Sequence, residues 1–424
     1  MQNLNDPEKK DENTQNKTNP EPTKEKSKKN YDPKELAILA HLFENAWKSQ
    51  GLPDNYSKAF KTIVNTHIEA LASKKQALDK YLKAVAPALT RLSEIQKKRD
   101  QDEDYQSKIE AIRSKYKLNK LSLVLGAGVS QNYGVPGWET LIRGLFTYTL
   151  TKEGTHGNDL ANLFHKIYGP NLLTSARYIQ TELGVNNNEF EAKVRDLLYE
   201  NVKENGPSDL MKQIVNLCIA PGKSPNLDSI ITYNYDDILE HEIKNKDIRL
   251  KYKSVHGPQI EENDGELSIY HVHGFLPRTG PLTEENKITL GEYIYHQQYS
   301  HIYSWNNIVQ INKFRENTCL FIGTSLSDPN TRRLLDIARS QKNISSLNQM
   351  NHFIFKRKYD IKNIMRTVEK QYQTKTFEEV VDVIYKLSQI IDSFDEKDLA
   401  SFGIQTIWIK NYDEIPKILE QIQE

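Results

Sequence analysis

One stretch constrains this chain more than any other: Leu121 to Trp138, LSLVLGAGVSQNYGVPGW. Its first five residues, Leu121 to Leu125, form an apolar run with no polar face. Such a run predicts a strand buried on both sides, as in the middle of a parallel sheet. Gly126, Ala127 and Gly128 then turn the chain. Glycine there removes the Cβ atoms that would hold a phosphate away from backbone N–H groups. Ser130 adds a hydroxyl that can cap or donate to a phosphate oxygen. Strand, glycine turn and small polar residue together indicate a nucleotide site. The turn is not the usual dinucleotide fingerprint, because Gln131 stands where a third glycine belongs. Nor is it a Walker A loop, because no Gly-Lys-Ser/Thr follows. Many strand–turn–helix junctions carry such glycines for packing alone, so the rest of the chain has to decide.

The 424 residues have room for two or three domains, or for one large domain with an appendage. Basic and acidic residues number 57 each, which gives no overall pull toward nucleic acid or an anionic membrane. Neither is expected as a direct partner. The two cysteines, Cys218 and Cys319, sit in apolar runs and read as buried free thiols. They cannot build a four-cysteine zinc site, and no metal is expected. They also provide no disulfide framework, which suits a reducing cytoplasm. The N-terminus has no apolar signal core, and no apolar run is long enough to span a bilayer. The expectation is a soluble cytoplasmic protein.

Residues 1–30 are polar except for Met1 and Leu4, and are expected to be a disordered tail. Residues 31–117 read as a helical appendage. Asp32-Pro33 signals a helix start, and Leu36, Leu39, Ala40, Leu42, Phe43 and Trp47 share one face. A second apolar series runs from Ile63 to Leu92. The segment carries no catalytic constellation, so its apolar faces must cover its own domain, another copy or a partner.

From 118 to 424 strands and helices alternate. Strands are expected at Ser229–Thr232, Tyr252–Val255, Ser268–Val272, Cys319–Ile322, His352–Phe355 and Ile404–Ile409. Helices are expected over about 137–219, 290–312, 359–395 and 412–423. The first of these reads as a helical module inserted between two strands. Alternation of this kind predicts an α/β fold with a doubly wound parallel sheet. Its ligands would bind beyond the carboxyl ends of the strands. Asn234 and Asp236 follow one expected strand there, in Tyr233-Asn234-Tyr235-Asp236-Asp237. His273-Gly274 follows another, and Gly323-Thr324-Ser325 a third.

Four motifs in this order, GAGVS…GVP at 126–136, TYNYDD at 232–237, HG at 273–274 and GTSLSDP at 323–329, resemble the sirtuin fold. More closely, they resemble the sirtuin-like NAD hydrolases of bacterial antiviral defence. The resemblance covers roughly 118–424 and implies a sirtuin-like Rossmann sheet. It implies that Gly126, Ala127, Gly128 and Ser130 hold the NAD pyrophosphate, and that Asn234 and Asp236 face the nicotinamide ribose and amide. It makes His273 the catalytic histidine, with Thr324 and Ser325 on the phosphate or adenine ribose. Two departures stand out. Gly137-Trp138-Glu139 follows Pro136 where a deacylase has Asp-Phe-Arg, and the four-cysteine zinc module is missing. Both remove machinery for an acyl-lysine substrate and favour water as the acceptor. Relatives of this family assemble into rings or pair with a hexameric HerA-type ATPase. The resemblance therefore implies a homo-oligomer, or such a partner, for this chain.

Cleaving NAD at the nicotinamide–ribose bond needs little acid catalysis, because the leaving group departs neutral from a cation. The transition state resembles an oxocarbenium ion. A carboxamide and a carboxylate can orient ribose hydroxyls and a water, while histidine can take a proton near neutral pH. Each residue also has an ordinary reading. Asn234 and Asp236 suit a helix N-cap, Thr324 and Ser325 suit a cap for the helix near Asp328, and His273 suits a hydrogen-bonded turn. His256, also followed by glycine, is the second choice for the histidine, and His271 is close by. Besides NAD hydrolysis, two functions remain open: a non-catalytic NAD or ADP-ribose binding module, and an NAD-dependent deacylase.

Overall fold

In the computed structural model of the chain, the described residues include positions 87, 90, 91, 94, 95 and 97. They also include 104–424 apart from 152–156, 170, 185–187, 204–207, 220–224, 247–249, 259–264, 292–295, 297–298, 342–350 and 372–376. The chain divides into two compact units, Met1–Ala86 and Pro87–Glu424. The expected tail, and the expected appendage as far as residue 86, lie outside the described residues.

Helix α1, Tyr105–Lys117, opens the sheet-bearing part of the chain. Ile109, Ile112 and Tyr116 are buried in its core. The Arg113 guanidinium donates to the Gln421 carbonyl at 2.6 Å, and the Tyr116 hydroxyl to the Leu217 carbonyl at 3.1 Å. The expected boundary near 118 therefore moves: α1 packs as part of the sheet's own core, because its apolar stripe is covered there.

Among the described residues, seven strands make one parallel sheet in the order β3-β4-β2-β1-β5-β6-β7. They are β1 Leu121–Leu125, β2 Ser229–Thr232, β3 Tyr252–Val255, β4 Leu267–His271, β5 Thr318–Ile322, β6 His352–Arg357 and β7 Ile404–Ile409. Successive side chains alternate between the two faces. Leu123, Leu125, Ile230, Leu320 and Ile322 enter one apolar cluster, while Val124, Ile231, Cys319 and Phe321 enter the other. Both faces are thus covered by helices, which explains why β1 has no polar face.

Helices α2 Trp138–Thr151, α3 Gly157–Ile167, α4 Leu172–Leu183, α5 Glu189–Tyr199 and α6 Asp209–Leu217 lie between β1 and β2. Helix α7, Ile238–Asn245, follows β2. Helix α8 runs from Trp305 to Glu316; His296, Tyr299 and Ser300 are helical as well, and the expected helix over 290–312 is interrupted before Trp305, where Ser304 is extended with φ −62° and ψ 146°. Helix α9 is Pro329–Ser340, α10 Ile361–Gln371, α11 Phe377–Ser401 and α12 Ile415–Gln423. Strand β4 ends one residue earlier than expected, so Val272 and His273 belong to the turn.

The chain passes from β1 to β2 on one side and reaches β5 on the other. The strand order therefore reverses around β1, and a crevice opens at the carboxyl ends of β1, β2 and β5.

Candidate functional site

Two turns meet at the reversal point. The Gly126 amide donates to the Ile322 carbonyl at 3.0 Å, and the Gly128 amide to the Gly323 carbonyl at 2.9 Å. A Cβ on Gly126 would lie 2.7 Å from the Gly323 carbonyl oxygen, and one on Gly128 would lie 2.7 Å from the Gly323 Cα. Gly323 itself has φ +69°, and its Cβ would sit 2.7 Å from the Val129 amide nitrogen. These glycines are needed so that one backbone can touch another. The expected approach of a phosphate is a second use of the same missing side chains. The amides of Gly126 and Gly128 are engaged with the neighbouring turn, while Gly126 lines one cavity of the crevice and Gly128 another, beside Ala127, Thr324 and Ser325.

Beyond β2, the Thr232 hydroxyl accepts the Asn234 amide at 3.1 Å and turns the chain into the crevice. The Asn234 carboxamide donates to the Gly126 carbonyl at 3.2 Å and to the Ser130 hydroxyl at 3.1 Å. Ser130 in turn donates to Asp236 Oδ1 at 3.0 Å, and that same oxygen accepts the Ile238 amide at 3.2 Å. Asn234, Ser130 and Asp236 are therefore one buried relay. Ser130, expected on a phosphate, is turned inward with its hydroxyl engaged. Asp236 caps the first turn of α7 in part, as the ordinary reading had it, and lines the cavity as well. Burial is the largest influence on its carboxyl and raises its pKa from 3.8 to about 6. Contacts from Ile238 and Ser130 pull the other way.

The turn after β4 is fastened to the same floor. The Thr289 amide donates to the His273 carbonyl at 2.7 Å, and the Tyr235 hydroxyl donates to the Thr289 carbonyl at 2.6 Å. Gly274 takes φ +101°, where a side chain would meet the Lys287 carbonyl. His273 lies against Tyr233, ring centroids 4.8 Å apart, and burial lowers its pKa from the ordinary 6.5. It is a neutral imidazole at neutral pH, able to accept a proton. His256 lies outside this lining, half-buried, 3.3 Å from the Glu285 carbonyl. His271 is buried beneath the turn.

A cavity of about 250 Å³ is lined by Gly126, Ala127, Asn234, Asp236, His273, Gly323, Thr324 and Ser325, together with apolar Val135, Pro136, Trp138, Leu141 and Leu198. A second cavity of about 850 Å³ shares Ala127, Gly323, Thr324 and Ser325 with the first, and extends to Phe355, Lys356, Arg357 and Tyr412. The four shared residues are the seam between them. Thr324 and Ser325 do not cap α9. Asp328 does, accepting the Thr331 amide at 2.7 Å.

Sequence reasoning missed Tyr233, Tyr235, Asp328 and Thr331 as lining residues, although each lies in or beside a quoted motif. It had no access to the apolar wall from α2 and α5. Among the described residues there is no group of three or more His, Cys, Asp or Glu that could hold a metal ion. No described helix is long and apolar enough to cross a membrane.

Residues 228–377, which run from the start of β2 to the start of α11, match the family model of the SIR2-like domain. Over 317 residues the chain is 24% identical to the NAD(+) hydrolase ThsA of Acinetobacter baumannii (strain 532279), covering 74% of this chain and 55% of that protein. The chain thus spans about half the length of the curated relative it matches.

Proposed function

We propose, from the match of residues 228–377 to the SIR2-like domain, that this chain hydrolyses NAD to ADP-ribose and nicotinamide. The observation that carries the reading is the pair of cavities joined at Ala127, Gly323, Thr324 and Ser325. A ligand with two ends and a link between them suits that shape. The smaller cavity would take the nicotinamide riboside end, the seam the pyrophosphate, and the larger cavity the adenosine end.

Each residue then has a task. Asn234 has its amide donors engaged, so its Oδ1 is the acceptor for a ribose hydroxyl. The Asp236 carboxylate orients a second hydroxyl or the water, and its negative charge offsets the cation that develops at the ribose. The nicotinamide–ribose bond breaks with its electron pair leaving on the neutral nicotinamide. Water adds to the oxocarbenium carbon, and His273 takes its proton. The apolar wall limits how much bulk water reaches the cation. The relative's printed name, NAD(+) hydrolase, agrees with this reading. A deacylase reading draws no support from the two buried cysteines.

We assign the activity to depletion of cellular NAD as an antiphage response in the cytoplasm, with assembly or a partner setting when it is active. The experiment is to incubate the purified chain with NAD and follow nicotinamide release, with acyl-lysine peptides in a parallel arm. Release that needs no peptide supports the hydrolase. Tight NAD binding with no release would make the chain a binding module. For the cellular role, phage plating and NAD levels are compared between cells with the chain and cells with an inactive variant. Equal plating would refute it.

A further inference from the structure

Beneath the cavity floor lies a charged pair that the proposed chemistry does not use. His271, the last residue of β4, and Glu240, in the first turn of α7, are both buried, 1% and 5% exposed. His271 Nε2 is 2.7 Å from Glu240 Oε1, and Nδ1 is 3.2 Å from the Asn234 carbonyl oxygen. The Ser254 hydroxyl, from β3, donates to the same Glu240 oxygen at 2.7 Å. Phe275 covers the imidazole, ring centroids 4.2 Å apart. Glu240 Oε2 is buried with no hydrogen-bond partner.

The chemistry of the two acceptors decides the histidine's state. A carbonyl oxygen can only accept. Glu240 is a carboxylate: burial alone would raise its pKa, but the charge and hydrogen bond of His271, with help from Ser254, outweigh that and hold it below the ordinary value. Both ring nitrogens therefore face acceptors, and both must carry hydrogen. A buried carboxylate and a buried imidazolium side by side each offset part of the other's cost of leaving water, whereas either charge left alone bears all of it. The other ionisable groups that feel the pair are Asp236, whose carboxyl Glu240 pushes up and His271 pulls down, and Tyr252, whose hydroxyl Glu240 pushes up.

We infer that His271 and Glu240 form a buried imidazolium–carboxylate pair, and that His271 is a positioning residue that holds the Asn234 backbone in register with the cavity through its Nδ1–H. This rests on the proposed NAD cleavage only for its kinetic consequence. The pair ties four pieces of chain together: β3 through Ser254, β4 through His271, α7 through Glu240, and the loop after β2 through the Asn234 carbonyl. Asn234 is held from the other side by Gly126 and Ser130. Without the imidazole its carbonyl loses that donor, and the residue is anchored only by Thr232, Gly126 and Ser130.

Three variants of the full chain test this, read by kcat and KM for nicotinamide release and by melting temperature. His271→Leu alone leaves Glu240 unpaired and is expected to fold poorly. The double variant His271→Leu/Glu240→Met removes both charges and is expected to fold, as apolar replacements of buried pairs commonly do. Its kcat should still fall on the order of 10²-fold, the cost typical of a small misplacement. Its KM should stay within about threefold of the parent, since substrate binding is left intact. In Glu240→Gln the amide N–H can donate to Nε2 while the proton stays on Nδ1, so kcat should remain within about threefold of the parent. A folded double variant with parental kcat, or Glu240→Gln as impaired as the double variant, overturns the positioning role. Nitrogen-15 NMR of histidine-labelled protein, with His271 assigned by its loss in the double variant, should show both ring nitrogens protonated, one facing the Asn234 carbonyl and one facing Glu240. In Glu240→Gln, one of them should be unprotonated. One unprotonated nitrogen in the parent overturns the pair, and that result does not depend on catalysis. A parent chain that releases no nicotinamide counts instead against the proposed activity, and the NMR result then stands alone.

Discussion

Asp236 holds its proton more tightly folded than unfolded, because burial raises its pKa from 3.8 to about 6. The stability that goes with that proton is complete below pH 3.8 and is lost as pH rises to about 6, where the buried carboxyl ionises. Asp236→Asn keeps an acceptor for Ser130 and Ile238 and carries no charge. It should raise stability at pH 7.5 by on the order of 1–3 kcal/mol, with a smaller gain near pH 5, and it should abolish nicotinamide release. Thermal melts at the two pH values check the first part. The same ionisation places an acid limb near pH 6 on NAD cleavage by the parent chain. Burial lowers the pKa of His273 from its ordinary 6.5 as well. Asn234→Ala and His273→Ala should each cost about 10²–10⁴ in rate while leaving a folded chain. Parental turnover by folded His273→Ala would remove that residue from the mechanism.

The turns after β1 and β5 work as one element, since the backbone of each occupies the space a side chain of the other would need. Gly323→Ala adds a Cβ 2.7 Å from the Val129 amide nitrogen at φ +69°. The turn can relieve this only by moving away from Gly128, which opens the seam shared by the two cavities. We expect a loss of about 2 kcal/mol or more in urea melts, together with loss of NAD binding by calorimetry. Gly257→Ala is the control, because a Cβ there meets nothing within 4 Å. Its stability should stay within about 0.5 kcal/mol of the parent. If the two variants behave alike, the close approach of the turns does not matter.

At the scale of the molecule, the first question is where the sheet-bearing unit begins. A chain starting at Leu118 lacks α1 and exposes the core under Ile109, Ile112 and Tyr116. Each such side chain is worth about 1.5–3 kcal/mol of burial. That truncation should melt well below the full chain or fail to fold, whereas a start at Pro87 should retain the parental melting temperature. The apolar helical faces read from the sequence over 31–86 are our candidates for assembly. Light scattering should find the full chain oligomeric and the Pro87 truncation reduced to a smaller species. An intact oligomer after truncation would place assembly elsewhere. Nicotinamide release should also survive exhaustive chelation, since the proposed chemistry asks nothing of a metal, and activity restored only by added zinc would contradict it.

The sequence by itself determined the layer structure and the places where chemistry would gather. Leu121–Leu125 is apolar at every residue but Ser122, and only a strand covered on both faces suits such a run. Glycine, asparagine and histidine at strand ends marked the crevice, because irregular backbone and polar side chains concentrate where a parallel sheet stops. Pairing across the chain was decided by tertiary structure. Ser130 carries the same hydroxyl whether it meets a phosphate or Asp236, and only the approach of the loop after β2 turns it inward. Gly126 and Gly128 permit a close neighbour without naming it, and that neighbour is Gly323, about two hundred residues away. His271 and His256 are both polar residues at the end of a strand when read alone. Burial beside Glu240 separates them, and burial is a property of the packed molecule.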